Sequence, residues 1–539
     1  MCFGMRLFSE RRLMSRKRYY LTTPLYYVNA KPHIGHSYTN IAADALARFK
    51  RLTLGKDNVL FLTGTDEHGQ KIDKAAQAAG MNPKEFTDKI SLTFRDLWTT
   101  LNISYDDFIR TTEPRHKEAV KKVWIKLDKK GEIYTAIYSG YYCTPCETFL
   151  TDETVRNLAA EGKKILCPEC QRPAEKIEES NYFFKLSKYQ DWLIERIEKQ
   201  DQMTILPDTR RNEVLGFLRN NKLQDLCVSR PKNRLAWGIE CPLSAEHVTY
   251  VWFDALVNYI SACGYGDEAA KEKFAKWWPA DVHIIGKDIL RHHAIYWTII
   301  LHALDLPLPK MIFAHGWWVQ GGEKMSKSLG NVVDPVEVVK TFGVDPYRYF
   351  LLREAPFGQD GTFSEEALTL RFNTDLANDL GNLLHRSLTM CEKYFNGEIP
   401  AGISSACPGR LRNEVDHLPD ALKASMEKLD FSLALATIWQ PISIANKYIE
   451  DSAPWTLAKQ GKQDELKIVI VALLETLKVV SQAVWPFMPA TAEAIWKQLG
   501  IETPMDQAPF QNGLWGFFQN GGKVAKGAPL FPRIDTKKP

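Results

Sequence analysis

No apolar stretch in the sequence reaches the roughly 20 residues that a membrane-crossing helix needs, so no membrane partner is expected. Neither sign of charge dominates. The 69 Lys and Arg face 65 Asp and Glu, and a net charge of +4 neither requires nor excludes nucleic acid. A disulfide framework is missing as well. Of ten cysteines, four form two C-x-x-C pairs, and Cys2, Cys227, Cys241, Cys263, Cys391 and Cys407 are scattered, which suits a reducing compartment. There is no internal repeat. The opening MCFGMRLFSERRLMSRKRYY is poor in acid and rich in Arg, as a short transit peptide can be. It is brief, has no long apolar core and contains Met14 as a second start. The expectation is a cytoplasmic enzyme with an over-extended start, with a mitochondrial or other organellar address as the alternative.

What is present is an ordinary globular composition, 45% hydrophobic and 25% charged, in a chain of 539 residues. That length exceeds one core and implies two to four domains. Tyr19–Val28 reads as a buried strand, Asn29–Pro32 breaks it, and apolar residues then recur at helical spacing from Gly35. Val59–Thr63 reads as a second strand leading to a helix from Gln70, and Val248–Phe253 and Val282–Ile285 repeat the signal. Strands alternating with helices predict an α/β fold, a Rossmann-like doubly wound parallel sheet. Residues 141–173 hold the cysteine pairs and read as an insertion. After Phe363 amphipathic helices take over, at Ser364–Phe395, Phe431–Asp451 and Leu466–Val484, predicting an all-α bundle. The end after Gly513, rich in Gly and Pro, reads as loosely ordered.

Two short motifs carry chemistry. Pro32-His33-Ile34-Gly35-His36 lies between the first strand and the first helix, where a doubly wound sheet receives a nucleotide. Gly35 lets a flat base approach the backbone, and His33 and His36 can donate to phosphates. Lys324-Met325-Ser326-Lys327-Ser328 follows Gly321-Gly322, and two lysines in a mobile loop suit a triphosphate whose charge builds up in the transition state. Alone, each motif has a bland reading: surface histidines, or a solvated basic turn. Together, in this order and context, they resemble the paired signatures of class I aminoacyl-tRNA synthetases.

The likeness extends from about Tyr19 to Pro489. Leu21–Asn29, Thr63-Gly64-Thr65-Asp66-Glu67-His68-Gly69, Val251-Trp252-Phe253-Asp254-Ala255 and Gly286-Lys287-Asp288-Ile289 resemble blocks of methionyl-tRNA synthetases, of the bacterial or organellar type with a single zinc knuckle. The resemblance implies activation of L-methionine by ATP with Mg2+ and transfer to tRNA(Met). Carried over by position, catalysis falls to His33, His36, Lys324 and Lys327, and ATP also meets Gly35, Lys287 and Asp288. The methionine pocket falls on Leu25, Tyr27, Asp66, Trp252, Ala255, Tyr259, Ile289 and His293. A thioether suits aromatic and aliphatic walls, and Asp66 would pair with the ammonium group. Taken singly, without the resemblance, Trp252 and Ile289 read as plain core packing. The anticodon would be read by Asn382, Arg386 and Trp455, whose bland readings are a surface polar pair and a buried indole.

Cys143-x-x-Cys146 and Cys167-x-x-Cys170, about 20 residues apart, suit one tetrahedral Zn2+ with a structural role, because four protein thiolates leave no open position. The expected layout is an N-terminal extension over 1–18, catalytic halves over 19–120 and 231–320, and a zinc-bearing insertion over 121–230 between them. A KMSKS and stem-contact region over 321–362, a helical anticodon domain over 363–515 and a tail over 516–539 follow. About 290 residues separate the two signatures, too few for the large editing domain of relatives that handle leucine, isoleucine or valine. No dimerising C-terminal β-barrel follows the bundle, so a monomer is expected. Two other readings stand beside this one. A cysteine- or leucine-type synthetase would differ in which amino acid drives pyrophosphate exchange. A non-catalytic RNA-binding relative would form no adenylate.

Overall fold

The structure is a computed structural model that describes residues 18–143, 148–150, 152–160, 164–168, 170–320, 323–324, 333–403, 409–508, 510–511 and 515–535. The chain divides into two compact units: residues 20–40 with 61–317, and the rest. The extension expected over 1–18 lies outside the described residues except for Arg18.

The first unit is built on a six-stranded parallel sheet. Its strands are β1 (Tyr19–Tyr27), β2 (Val59–Asp66), β3 (Asp107–Arg110), β4 (Thr204–Leu206), β5 (Val282–Gly286) and β6 (Met311–His315), in spatial order β3-β2-β1-β5-β6-β4. Helices cover both faces, so the strands are apolar without alternation, as in the buried Val282–Ile285 and Ile312–Ala314. The order places β1 at the centre, with β2 and β3 to one side and β5 and β6 to the other. The crevice at the carboxyl ends of β1 and β5 is the topological switch point. Local signals start the covering helices: Pro83–Thr100 opens with Asn82 accepting from the Glu85 amide at 2.9 Å and with Pro83 in its first turn.

Two expectations are corrected here. Val248–Phe253 is not one strand. Only His247–Thr249 is extended, paired antiparallel with Ser229–Pro231, and Val251–Leu256 is helical. A short, wholly buried apolar run has no periodicity that separates strand from helix. The insertion expected over 121–230 is also interrupted, because β4 returns to the main sheet and pairs with β6. That region also holds a four-stranded antiparallel sheet around the long pair Ile133–Cys143 and Glu175–Phe184, with Cys143 at its far end, and the helices Gln190–Lys199 and Asp208–Asn220.

The second unit is mainly helical. Helix Gln463–Val484 is its spine, buried along nearly its whole length, against Gly409–Glu427 and Phe431–Ser452. Arg348, fully buried on helix Val344–Arg353, donates to the carbonyls of Phe487 (2.8 Å) and Pro486 (3.1 Å) just beyond the spine's end, and to Asp44 at 2.6 Å. Asp345 on the same helix accepts the Thr491 amide at 2.6 Å in the first turn of Pro489–Gln498. One turn of helix therefore satisfies the backbone groups orphaned where the spine stops and the next helix starts. The region predicted as a helix over Ser364–Phe395 begins with a Ser364 cap and contains a π-helical stretch, Phe372–Gly381. Residues 515–535 are not loose, contrary to the Gly- and Pro-rich composition after Gly513. Phe518, Val524 and Phe531 are buried, the amides of Phe517 and Phe518 donate to the buried Glu475, and Gly522–Lys523 pairs with Glu398–Ile399.

Candidate active site

The loop after β1 carries His33, Gly35 and His36, and its geometry is set by the backbone. The His33 amide donates to His36 Nδ1, and the Gly35 amide to His33 Nδ1, both at 3.1 Å. A nitrogen that accepts carries no proton, so a neutral ring at either position holds its proton on Nε2, as a donor. The rings lie 3.9 Å apart, and Tyr26 meets His36 edge-on at 5.1 Å. Gly35 leaves room for this: a Cβ there would sit 3.0 Å from His33 Cε1 and 3.2 Å from Nδ1. The His33 imidazole lies against that space.

Across the switch point, β5 ends at Gly286 and delivers Lys287 and Asp288. A Cβ on Gly286 would come within 2.5 Å of Asp288 Oδ1, so that carboxylate folds back over the strand end. Lys287 Nζ lies over the Trp317 ring at 4.1 Å. His315, ending β6, was not anticipated. Its Nε2 meets Thr39 Oγ1 at 2.8 Å and its Nδ1 the Gly316 carbonyl at 2.7 Å, so the proton sits on Nδ1, and burial pushes its pKa down.

Asp66 closes β2 in a segment braced from several sides. Its carbonyl accepts the Val28 amide at 3.2 Å. The buried Glu67 carboxylate takes Arg110 at 2.6 and 2.8 Å together with the hydroxyls of Thr65 (2.7 Å) and Thr112 (2.5 Å). The Glu67 carbonyl accepts Trp237 Nε1, and His68 Nδ1 meets Asp254 Oδ2 at 2.7 Å. Apart from Thr65, these partners have no local sequence signal, since each comes from a distant segment.

The other residues assigned to the amino acid fall on neighbouring elements. Tyr259 and His293 are buried in contact: His293 Nδ1 donates to the Ile289 carbonyl at 2.9 Å, so its Nε2 accepts from the Tyr259 hydroxyl at 2.7 Å. Burial lowers the His293 pKa to about 4 and that of His292 to about 3. Trp252 is half-buried and stacks on His292 at 3.7 Å, and Ala255 follows it on helix Val251–Leu256. Leu25 packs over Gly64, where a Cβ would come within 2.9 Å of it, and Lys71 Nζ lies over Tyr27 at 5.6 Å. Another buried cation lies nearby in sequence: Arg230, which reading the sequence also missed, donates to the Ser229 carbonyl at 2.7 Å and sits over Tyr250 at 4.1 Å.

Three more groups belong to the sequence expectations. The Sγ atoms of Cys143, Cys167 and Cys170 lie within 4.8 Å of one another, with 3.5 Å between Cys143 and Cys170, so this cluster can bind a metal ion; Cys146 is outside the described residues. Lys324 has its backbone in a two-residue strand paired with Trp318–Gln320, whereas Lys327 and the rest of its motif lie outside the described residues. In the helical unit Asn382 is exposed, Arg386 pairs with Glu450 at 2.6 Å, and Trp455 is 41% exposed in the first turn of Pro454–Lys459. The bland reading of Trp455 as a buried indole therefore fails.

Comparison with known proteins gives the same picture. Residues 19–388 match the family model for class I tRNA synthetases (M), and 411–517 that for the anticodon-binding domain of tRNA ligases. The chain is 51% identical over 525 residues to the methionine–tRNA ligase of Caldanaerobacter subterraneus subsp. tengcongensis, covering 97% of this chain and 80% of that one. The Bacillus subtilis ligase is 46% identical over 527 residues, covering 96% and 78%. The Mycobacterium tuberculosis methionyl-tRNA synthetase in complex with methionyl-adenylate superposes with a TM-score of 0.86 at 40% identity, covering 96% of this chain and all of that one. A fold with its switch point at the H-x-G-H loop, followed by a helical anticodon-type domain and matched along nearly its whole length, establishes that the chain belongs to the methionyl-tRNA synthetase family of class I aminoacyl-tRNA synthetases.

Proposed function

We propose that the chain activates L-methionine with ATP and transfers it to tRNA(Met), with the residues acting as follows. A methionine carboxylate oxygen attacks the α-phosphorus of ATP. The bond to the bridging oxygen breaks, and pyrophosphate leaves with methionyl-adenylate formed. A ribose hydroxyl of the terminal adenosine then attacks the acyl carbon, and AMP leaves. Little covalent help is needed, so the protein's work is positioning and charge. His33 and His36 present Nε2–H donors to the phosphates. Lys287 and Asp288 are assigned to ATP at the β5 end, and Lys324 and Lys327 to the triphosphate on their motif. Mg2+ arrives with ATP.

Asp66 is assigned to the ammonium group, with Leu25, Tyr27, Trp252, Ala255, Tyr259, Ile289 and His293 around the thioether. The observation that carries this reading is the juxtaposition, at one switch point, of the paired imidazoles after β1 and the Asp66 carboxylate at the end of the adjoining β2, on a segment held by the braces on Glu67 and His68. Replacing Asp66 by Ala should lower kcat/KM for methionine in ATP–pyrophosphate exchange by about 100-fold, close to 2.7 kcal/mol. A variant within twofold of wild type would remove Asp66 from the site.

Zinc fits the cysteine cluster. A tetrahedral thiolate site with Zn–S near 2.3 Å has sulfurs about 3.8 Å apart, close to the Cys143–Cys170 separation, and Cys146 would be the fourth ligand. Bound there, zinc would fix the far end of the hairpin; Cys167 already closes a turn by accepting the Gln171 amide at 2.8 Å. Asn382, Arg386 and Trp455 supply amide, guanidinium and an exposed ring, the groups that read unstacked bases. We take the protein to act as a monomer in the cytoplasm, the thiolate set suiting a reducing compartment.

A further inference from the structure

Beneath the Asp66 segment lies a row of buried polar groups that the activation chemistry does not use. Ser261 Oγ meets His116 Nδ1 at 2.9 Å, His116 Nε2 meets Asp254 Oδ1 at 2.7 Å, and Asp254 Oδ2 meets His68 Nδ1 at 2.7 Å. None of the four residues is more than 2% exposed. Serine, histidine and aspartate in hydrogen-bonded sequence suggest a hydrolase, but the ring is reversed, with the carboxylate on Nε2 and the hydroxyl on Nδ1. The Ser261 hydroxyl also donates to the Asn258 carbonyl at 3.1 Å, and no substrate can reach it. A nucleophilic role is excluded.

The row joins three pieces of the amino-acid site. His68 follows Asp66 and Glu67 in one loop. Asp254 sits between Trp252 and Ala255 on helix Val251–Leu256, and Ser261 ends the short helix that contains Tyr259. Asp254 gives one oxygen to each imidazole, so a single carboxylate ties the Asp66 loop to the Trp252 helix, and through His116 to the Tyr259 turn. Burial alone would raise its pKa, but the imidazoles of His68 and His116 hold it below the usual carboxylate range, so the strut is ionised. A fully buried carboxylate with both oxygens engaged is stiff, and its loss is felt by both elements it joins.

We propose that Asp254 is a positioning residue for the amino-acid half of the site, acting through His68 on Asp66 and through its own helix on Trp252. This rests on the assignment of Asp66 and Trp252 to methionine. Asp66→Ala tests that assignment, whereas only the Asp254 and His116 variants test the positioning role of Asp254. Asp254→Asn keeps the shape but turns an N–H toward an imidazole N–H. It should lower kcat/KM for methionine at least tenfold in ATP–pyrophosphate exchange and leave KM for ATP within twofold, because His33, His36 and Lys287 hang on other strand ends. His116 supplies a second pair of variants should Asp254→Asn not fold. His116→Gln keeps a donor at the Nε2 position and should stay within threefold of wild type, while His116→Phe should reproduce the methionine defect. Equal losses toward methionine and ATP, or His116→Gln no better than His116→Phe, would make the row ordinary core and overturn the proposal.

Discussion

At Gly35 a missing Cβ decides where an imidazole rests. The His33 ring fills the space a side chain would take, with its Cε1 3.0 Å from the ideal Cβ position. Gly35→Ala should displace that ring by a few tenths of an ångström and lower kcat for exchange by about tenfold, since misplacing a reacting-site group by a fraction of an ångström costs of that order. Methionine affinity, measured by fluorescence titration, should stay within twofold. Unchanged kcat would mean that the ring yields without consequence. His293 gives a second test at this scale. Its folded pKa of about 4 lies below the ordinary value of 6.5, so unfolding takes up a proton between the two. Its contribution is complete above about pH 6.5 and is lost as pH falls toward 4, by up to about 3 kcal/mol. His292 shifts the same way. Urea melts at pH 7.5 and 5.0 should show a smaller pH dependence for His293→Gln than for wild type; an equal dependence would remove His293 as a contributor. The motif residues were legible because their chemistry is local. Their supports were not: Trp237 braces Glu67, and His116 braces Asp254, from more than a hundred residues away.

At the scale of elements, the sequence was most readable where turn chemistry and periodicity agreed. The strand Tyr19–Tyr27, the helix Ile34–Leu54 and the long helices of the second unit fall where apolar spacing put them. It was least readable where burial is complete. Val251–Leu256 is apolar on nearly every side, and only its place in the packed unit makes it a helix. Met311–His315, the strand that supplies His315, was not read in the sequence. The C-terminal segment looked loose because Gly and Pro dominate it, yet Glu475 and the strand pair at Gly522–Lys523 hold it down. The cysteine knuckle has a small core of its own, because among the described residues Cys143, Leu150 and Cys167 are its buried cluster, with Tyr141, Val155, Ile165, Cys170 and Ala174 packed against it. A chelator should release one zinc per chain and raise amide exchange within residues 141–173 while leaving the main sheet protected. Absence of zinc from the purified protein, by metal analysis, would contradict that assignment.

At the scale of the whole molecule, the pattern is a division of labour. One unit carries the strand-end chemistry, and the other carries an exposed indole, an exposed amide and an arginine in the type of helical domain that the family uses for the anticodon. The order of elements along the chain made this division visible in the sequence, since strands fade and helices begin near Phe363. Discrimination for methionine was not visible in the same way, because an apolar pocket separates amino acids differing by one methylene by only about 1–3 kcal/mol. In the pocket proposed for the amino acid, the Tyr259 hydroxyl is held by a tautomer-fixed His293. Amino-acid-dependent ATP–pyrophosphate exchange, run with methionine, cysteine, leucine, isoleucine and valine on one preparation, tests the central claim most directly. The account predicts exchange with methionine at least a hundredfold above any other in kcat/KM; exchange driven by cysteine or leucine and not by methionine would contradict it.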